Sequence, residues 1–182
     1  MKELSLHILD LVENSIRAKA NLIIINVLED ILKDILTIEI EDNGSGIDKE
    51  LLKKVDDPFV TTRTTRKVGL GLSLIKASAL SCDGDFKISS QKNIGTKVYF
   101  SFRHSHIDRV PIGDMGKTIT AVINQCQDNE IIYNHQYNDK SFTIDTRKIK
   151  DILDGVSIKS PDVLIWIKDY INSNIKEIKG LA

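Results

Sequence analysis

Residues 38–52, IEIEDNGSGIDKELL, contain the turn on which the fold assignment depends. The triplet Asp42-Asn43-Gly44 suits a β-hairpin turn, a calcium-binding loop or the floor of a nucleotide pocket. Asn-Gly between two strands is a strong hairpin signal. The segment SGIDKELLKK that follows, however, lacks the alternation of a second strand and is typical of the start of a helix. The hairpin interpretation is therefore disfavoured.

The calcium alternative rests on an EF-hand-like spacing of oxygen-bearing residues. Positions 1, 3, 5, 6 and 12 of such a loop would be Glu39, Glu41, Asn43, Gly44 and Glu50. An EF-hand begins with Asp and follows a helix, whereas LTIEIE before this turn alternates as a strand does. Calcium binding is therefore a minor alternative.

The nucleotide alternative requires a helix that carries a carboxylate and an amide, and a glycine-rich turn that opens a second helix. The segment LDLVENSIRAKA places Asp10, Asn14 and Arg17 on one stripe of a helix. The segment VGLGLSLIKASAL places Gly69 and Gly71 at the start of another. There the backbone can approach a phosphate, and the helix N-terminus offers free N–H donors. Both required features are present, which favours a nucleotide pocket.

Hydrophobic periodicity predicts the order of the elements in this part of the chain. Helices are predicted at 3–19, 48–54 and about 70–81, and strands at 22–28, 35–41, 85–90 and 96–102. Residues 55–68 are rich in Thr and cations and contain Pro58, so they are predicted to form a loop. This order predicts an α+β fold, a two-layer α/β sandwich with a mainly antiparallel sheet.

Composition excludes several function classes. Lys and Arg number 25 against 26 Asp and Glu, a balance that disfavours a nucleic-acid binder, since such domains are usually basic. Cys82 and Cys126 form no CxxC pair, so neither a zinc site nor a disulfide framework is predicted. The apolar run at 22–25 is too short to span a bilayer, and acidic residues interrupt the N-terminus. The protein is predicted to be cytoplasmic, and neither nucleic acid nor a membrane is expected as a partner.

Five segments in chain order carry a resemblance to a known superfamily. The segments LVENSIRAKA, EDNGSGI, DPFVTTR, GLGLSLIKA and GTKVYF resemble the N, G1, F, G2 and G3 boxes of the GHKL ATP-binding proteins. These include gyrase B, heat-shock chaperone ATPases, sensor histidine kinases and MutL. Each box alone is weak, but five in order are a strong signal. The resemblance covers residues 1–103, implies the Bergerat ATP-binding fold, and is closest to stand-alone histidine-kinase-like ATPases of anaerobic bacteria.

The resemblance implies roles around the adenine base. Asp42 would accept a hydrogen bond from the adenine amino group, a role that suits a carboxylate because it only accepts. Gly44 and Gly46 would let the chain turn beneath the base, and Thr96 would lie near the same carboxylate. Further nucleotide contacts are implied for Asn43, Ile47, Phe59, Thr61, Leu70 and Leu72, beside Gly69 and Gly71.

The resemblance also implies roles around the phosphates. Asn14 would coordinate Mg²⁺ through its side-chain oxygen, with the triphosphate and waters completing the octahedron. Arg17 would reach the phosphates, although a solvent-exposed helix Arg is the ordinary alternative. Residues 59–68 match the lid over the triphosphate, where Arg63, Arg66 and Lys67 would neutralise charge on the transferred phosphoryl group. A solvated cationic loop is the competing interpretation.

Two positions depart from the pattern of the superfamily. Asp10 occupies the position that carries the water-activating Glu in MutL-like ATPases, and its side chain is one methylene shorter. Since a general base must first reach its proton, slow or absent hydrolysis is expected. Lys67 replaces the first Gly of the kinase G2 box, which removes backbone freedom and adds a cation to the lid.

Three functions are compatible with these features: a protein phosphotransferase that acts on a partner, a slow ATPase whose lid state drives homodimerisation, and a non-enzymatic ATP sensor. Sensor histidine kinases carry a phosphoacceptor His followed by an acidic residue, and none of the four His here has that neighbour. Self-contained autophosphorylation is therefore not expected. An unidentified protein partner is expected, with ATP and Mg²⁺ as cofactors.

Residues 104–182 lie outside the resemblance and are predicted to form a connector and a small α+β region. The connector contains Pro111 and two glycines within 103–116. A helix is predicted within KTITAVINQC, a hairpin about Asn138-Asp139, and a final helix along Val163, Leu164, Ile167, Ile171 and Ile175. Residues 112–182 contain neither clustered metal ligands nor a nucleophile–base pair, so a role in partner recognition is expected for them.

Overall fold

The computed structural model describes residues 2–50, 52 and 70–181 of the chain. The helices are α1 (Leu4–Arg17), α2 (Leu70–Ser81), α3 (Met115–Gln125), α4 (Thr146–Leu153) and α5 (Pro161–Ile178). The strands are β1 (Leu22–Asp30), β2 (Ile35–Asp42), β3 (Phe86–Gln91), β4 (Gly95–Arg103), β5 (Glu130–Tyr137) and β6 (Lys140–Asp145). The predicted helix after β2 begins with residues 49 and 50 in helical conformation, and its predicted end lies outside the described residues.

The six strands form one mixed sheet in the order β3-β4-β2-β1-β5-β6. The pairing of β1 with β5 is parallel, and the other pairings are antiparallel. In the register of β2 with β4, Asp42 lies opposite Thr96, and in that of β3 with β4, Ser90 lies opposite Thr96. The predicted α+β sandwich with a mainly antiparallel sheet is confirmed.

The helices pack on one face of this sheet. In α1, Leu4, Ile8, Leu11 and Val12 recur at helical spacing and are buried, which places one stripe of the helix in the core. In β1 the alternate residues starting at Ile23 are buried in the same core.

Among the described residues, no helix is both long and apolar enough to cross a membrane.

The opposite face of the sheet carries a row of polar side chains that runs across five strands. Thr143 donates to Asn134, and Asn134 donates to Asn26, each at 2.7 Å. Asn26 donates to the Glu39 carboxylate at 3.3 Å, and Lys97 forms an ion pair with the same carboxylate at 3.0 Å. A row of satisfied hydrogen bonds is stable in contact with water, so this face needs no covering layer.

The C-terminal region extends the sheet of the N-terminal half. Strand β5 pairs with β1 along its length, with Ile23 opposite Ile131. A single hydrophobic core contains Ile25 of the N-terminal half together with Ile119 and Ile171 of the C-terminal region. The helix predicted within 117–126 is observed as α3, and the predicted hairpin about residue 138 and final helix are also observed, whereas α4 was not predicted.

A buried carboxylate connects the two halves at the end of β1 distant from Asp42. Glu29 accepts hydrogen bonds from His135 (2.8 Å) and His104 (3.1 Å), and it pairs with Lys179 at 2.7 Å. Burial opposes the ionisation of Glu29, but the hydrogen bonds from His135, Lys179 and His104 outweigh it and lower its pKa to about 2. Tyr133 contacts the other ring nitrogen of His135 at 2.5 Å. The charge of Glu29 is thus compensated entirely within the fold.

Candidate nucleotide-binding site

A cavity of about 400 Å³ lies between α1, the segment after β2, the strand pair β3–β4 and the start of α2. Its apolar lining comes from Leu11, Ile40, Leu72, Ile88 and Val98. Its polar lining includes Asn14, Ser15, Asp42 and Thr96. Small-molecule sites typically have this volume and combine apolar walls with a few convergent polar groups. The cavity is therefore the candidate binding site.

Asp42 ends β2 and presents its carboxylate to this cavity. Its Oδ2 accepts a hydrogen bond from Ser15 Oγ at 2.6 Å, and its Oδ1 accepts one from the Gly44 N–H at 2.9 Å. Ser15 is buried on α1, so the carboxylate is fixed in position by two elements. Each oxygen can accept a further bond, and an ionised carboxylate donates none. The site thus offers an acceptor to a ligand N–H.

The segment after β2 lies close to the neighbouring backbone at two glycines. A Cβ on Gly46, whose φ is +65°, would lie 2.1 Å from the Gln91 carbonyl oxygen. A Cβ on Gly44 would lie 2.8 Å from the Ala18 carbonyl oxygen. Both positions therefore require glycine. Asn43 immediately precedes Gly44, and its Oδ1 accepts from the backbone N–H groups of Asn21 and Leu22 at 2.8 and 2.9 Å, so its side chain anchors the turn to the start of β1.

Thr96 lies beside Asp42 in the sheet and lines the same cavity. Its hydroxyl contacts Ser90 Oγ at 2.8 Å. The same Ser90 oxygen accepts from the Ile47 N–H at 2.8 Å and donates to the Gly95 carbonyl at 2.9 Å. Ser90 therefore connects the segment after β2 with the start of β4.

Asn14 and Arg17 lie on the stripe of α1 that borders the cavity. The Arg17 guanidinium donates to Asn14 Oδ1 at 3.3 Å and pairs with Glu13 at 3.3 Å. The Arg17 side chain is 68% exposed, so these contacts are weak and the cation is accessible to an anion at the cavity mouth. The Asn14 amide oxygen and the Arg17 cation thus lie next to each other at one edge of the cavity.

Asp10 lies one turn before Asn14 and contacts the beginning of α2 instead of lining the cavity. A Cβ on Gly71 would lie 1.9 Å from Asp10 Oδ2, so the carboxylate packs directly on the first turn of α2. A helix N-terminus favours a negative charge. His7, a further turn back, is buried; burial lowers its pKa, which the charge of Asp10 partly opposes. Ser73 and Lys76 of α2 each have an interaction partner.

The structure therefore brings together Asn14, Arg17, Asp42, Gly46, Ile47, Leu72 and Thr96 around one cavity. Asp10, Asn43, Gly44 and Gly71 lie next to it in the contacts given above, and Leu70 begins α2. The predictions for Phe59, Thr61, Arg63, Arg66, Lys67 and Gly69 fall on positions outside the described residues.

Ser15 and Ser90 were missed by the sequence analysis. Ser15 is four residues after Leu11, which places it on the buried stripe of α1, and a buried hydroxyl in a helix needs a partner. Ser90 alternates with Ile88 and so shares its face of β3. Periodicity was thus a usable signal for both, but their partners depend on the packing of separate elements.

Comparison with known proteins identifies the family of the part of the chain that contains this cavity. The family profile described as "Histidine kinase-, DNA gyrase B-, and HSP90-like ATPase" matches residues 2–106. The chain belongs to this family. Its N-terminal part is accordingly an ATP-binding GHKL domain, as the ordered boxes predicted, and the match includes every polar residue that lines the cavity.

The matched relatives include several sensor kinases. The chain is 45% identical over 58 residues to the signal transduction histidine-protein kinase AtoS of Escherichia coli, covering 32% of this chain and 9% of AtoS. It is 40% identical over 67 residues to the autoinducer 2 sensor kinase/phosphatase LuxQ of Vibrio parahaemolyticus, covering 34% and 8%. The chain thus spans less than a tenth of these two relatives.

Solved structures show the same fold. The Aquifex aeolicus MutL ATPase domain complexed with ADP superposes with a TM-score of 0.51 at 13% identity, covering 85% of this chain and 70% of that one. The N-terminal domain of a DNA repair protein superposes with a TM-score of 0.54 at 21% identity, covering 79% and 52%. Each superposition covers more of this chain than the 105 residues that the family profile matches. Both likenesses therefore extend into the C-terminal region.

Proposed function

We propose that this protein binds ATP with Mg²⁺ and uses it in the cytoplasm to phosphorylate or otherwise control a protein partner. The observation that carries the proposal is the Asp42 carboxylate, held by Ser15 and Gly44 at the base of an apolar cavity in a chain of an ATPase family. A fixed acceptor between apolar walls fits the exocyclic amine of adenine. A guanine carbonyl at the same place would meet another acceptor.

The phosphates and the metal ion would lie at the Asn14 edge of the cavity. Asn14 Oδ1 is a suitable oxygen ligand for Mg²⁺, which prefers octahedral oxygen coordination and takes further ligands from phosphates and water. The Arg17 guanidinium lies within hydrogen-bond distance of that amide and would neutralise phosphate charge. The first turn of α2 lies beside the cavity through Leu72 and can contribute free backbone N–H groups.

Asp10 is the residue that we assign to the activation of water. It shares the α1 stripe with Asn14, but its carboxylate packs on Gly71 at the start of α2. A base held there has little freedom to follow a nucleophile, and this supports slow hydrolysis as the second candidate function. Such an ATPase would act as a switch, with homodimerisation as one of its outputs.

We propose that residues 1–103 bind the nucleotide and that residues 112–182 recognise the protein partner. Helix α5 exposes Trp166 and Tyr170, whose rings stack at a centroid distance of 5.2 Å. Exposed aromatic residues with low side-chain entropy are common in protein interfaces. This surface supports a protein partner for the C-terminal region.

Incubation of the full-length protein with γ-³²P-ATP and Mg²⁺, with and without cell lysate, tests the proposal. A labelled lysate protein indicates phosphotransfer, and release of free phosphate by the purified protein indicates the ATPase. Asp42→Asn serves as the control, because it should lose both signals while the fold persists. If the wild type binds ATP but yields neither signal, both catalytic proposals are contradicted and the sensor function is supported.

A further inference from the structure

We propose that Ser90 sets the base specificity of the site, by making Thr96 a hydrogen-bond acceptor. Ser90 is a positioning residue in this proposal, since it acts on the ligand through Thr96. The inference rests on the proposed function, because it concerns how the same cavity distinguishes adenine from bases that carry a carbonyl at the same position.

Three side chains form a row across adjacent strands at the base of the cavity. Asp42 on β2 lies opposite Thr96 on β4, and Thr96 lies opposite Ser90 on β3. Directly opposed residues of antiparallel strands have Cβ atoms about 5 Å apart, so neighbours in this row interact. Asp42 and Thr96 line the cavity, and Ser90 lies behind Thr96 at a hydroxyl–hydroxyl distance of 2.8 Å.

The direction of each hydrogen bond follows from counting protons. A serine hydroxyl has one proton to donate and two lone pairs that accept. Ser90 donates its proton to the Gly95 carbonyl oxygen at 2.9 Å, since a carbonyl can only accept. It accepts from the Ile47 N–H at 2.8 Å with one lone pair. In the remaining contact Thr96 must therefore be the donor.

The hydroxyl proton of Thr96 is thus directed at Ser90, and only its lone pairs are available to a ligand. The Asp42 carboxylate beside it is also an acceptor, and its donors in the part of the chain that the structure describes are Ser15 and Gly44. The base of the cavity therefore presents two neighbouring acceptors. The 6-amino group of adenine carries two N–H donors and satisfies this arrangement, whereas the 6-carbonyl of hypoxanthine or guanine is an acceptor and does not.

Ser90 is held in this arrangement from two sides. Its backbone belongs to β3, paired with β4, and the segment after β2 packs against the next residue through the close approach of Gly46 to Gln91. Asn93 donates from its backbone to the Ser45 carbonyl at 2.7 Å. Since these contacts fix the positions of the Gly95 carbonyl and the Ile47 N–H, the Ser90 hydroxyl has one arrangement that satisfies all three partners.

The test compares ATP with ITP, which carries a carbonyl in place of the 6-amino group. The dissociation constants of both nucleotides are measured with Mg²⁺ by titration calorimetry for the wild type, Ser90→Ala and Ser89→Ala. Ser89 is exposed on the other face of the same strand and is the matched control. Without the Ser90 hydroxyl, Thr96 is free to donate to a carbonyl. The preference for ATP over ITP should fall about tenfold in Ser90→Ala, the value of one hydrogen bond, and stay unchanged in Ser89→Ala.

Thr96→Val supplies a second test that does not depend on the folding of Ser90→Ala. It should reduce the preference for ATP, and the double variant should show the same preference as Thr96→Val alone, because Ser90 acts through Thr96. A preference unchanged in Thr96→Val, a Ser90→Ala variant that weakens both nucleotides equally, or an additive double variant would overturn the inference while ATP binding stands. A wild type that binds neither nucleotide would overturn the proposed function itself.

Discussion

Replacement of Glu29 by Gln tests whether the C-terminal region is part of the same cooperative fold as the nucleotide cavity. Glu29 is 2% exposed, and its partners His135 and Lys179 belong to the C-terminal region. Lowering its pKa from an ordinary 4.5 to about 2 corresponds to about 3 kcal/mol, since each pKa unit is worth about 1.36 kcal/mol. We therefore expect Glu29→Gln to reduce the free energy of unfolding at pH 7 by about 3 kcal/mol.

The contribution of Glu29 to the free energy of unfolding changes with pH in a defined direction. Because the pKa of Glu29 is lower in the folded protein than in the unfolded chain, its stabilisation is complete above about pH 4.5 and is lost as the pH falls towards about 2. Urea unfolding of the wild type should show this loss across that window, and Glu29→Gln should show a flatter profile. Glu41→Gln, at an exposed ion pair with Lys97, is the matched control and should change little. Equal stability of Glu29→Gln and wild type at pH 7 would refute the reasoning.

Three further variants probe the site. Ser15→Ala removes the 2.6 Å hydrogen bond to Asp42, and ATP affinity by titration calorimetry should fall about tenfold with little change in Tm; an unchanged Kd would contradict the role of Ser15. Gly71→Ala places a methyl group against the Asp10 carboxylate, which should move that side chain and change phosphate release while the fold persists. Asp10→Glu should raise basal phosphate release and Asp10→Asn should lower it, and equal rates in all three proteins would remove Asp10 from the mechanism.

Local patterns were sufficient to predict most of the elements. The apolar period in GLGLSLIKASAL predicted α2 at about 70–81, where the structure has it, and the alternation about residue 138 predicted the β5–β6 hairpin. Helix α4 was missed because it has only eight residues, few of them apolar. The parallel pairing of β1 with β5 was also missed, because pairing between strands about 100 residues apart leaves no local signal.

The site shows the same division between local and long-range information. Asp42 and Thr96 were predicted from separate boxes, and the structure places them opposite each other in the sheet. The contact of Ser15 with Asp42 and that of Ser90 with Thr96 could not be predicted, because each joins side chains on different elements. Side-chain patterns identify which residues face inward, but packing decides which of them meet.

The central claim is that the cavity at Asp42 binds the adenine of ATP. Titration calorimetry of Mg²⁺-ATP into the wild type and Asp42→Asn tests it directly, with circular dichroism to establish that both proteins are folded. Asparagine places N–H donors where the carboxylate offers only acceptors, so the account predicts saturable binding to the wild type and at least about a hundredfold weaker binding to Asp42→Asn. Equal affinity of the two folded proteins for ATP would contradict it.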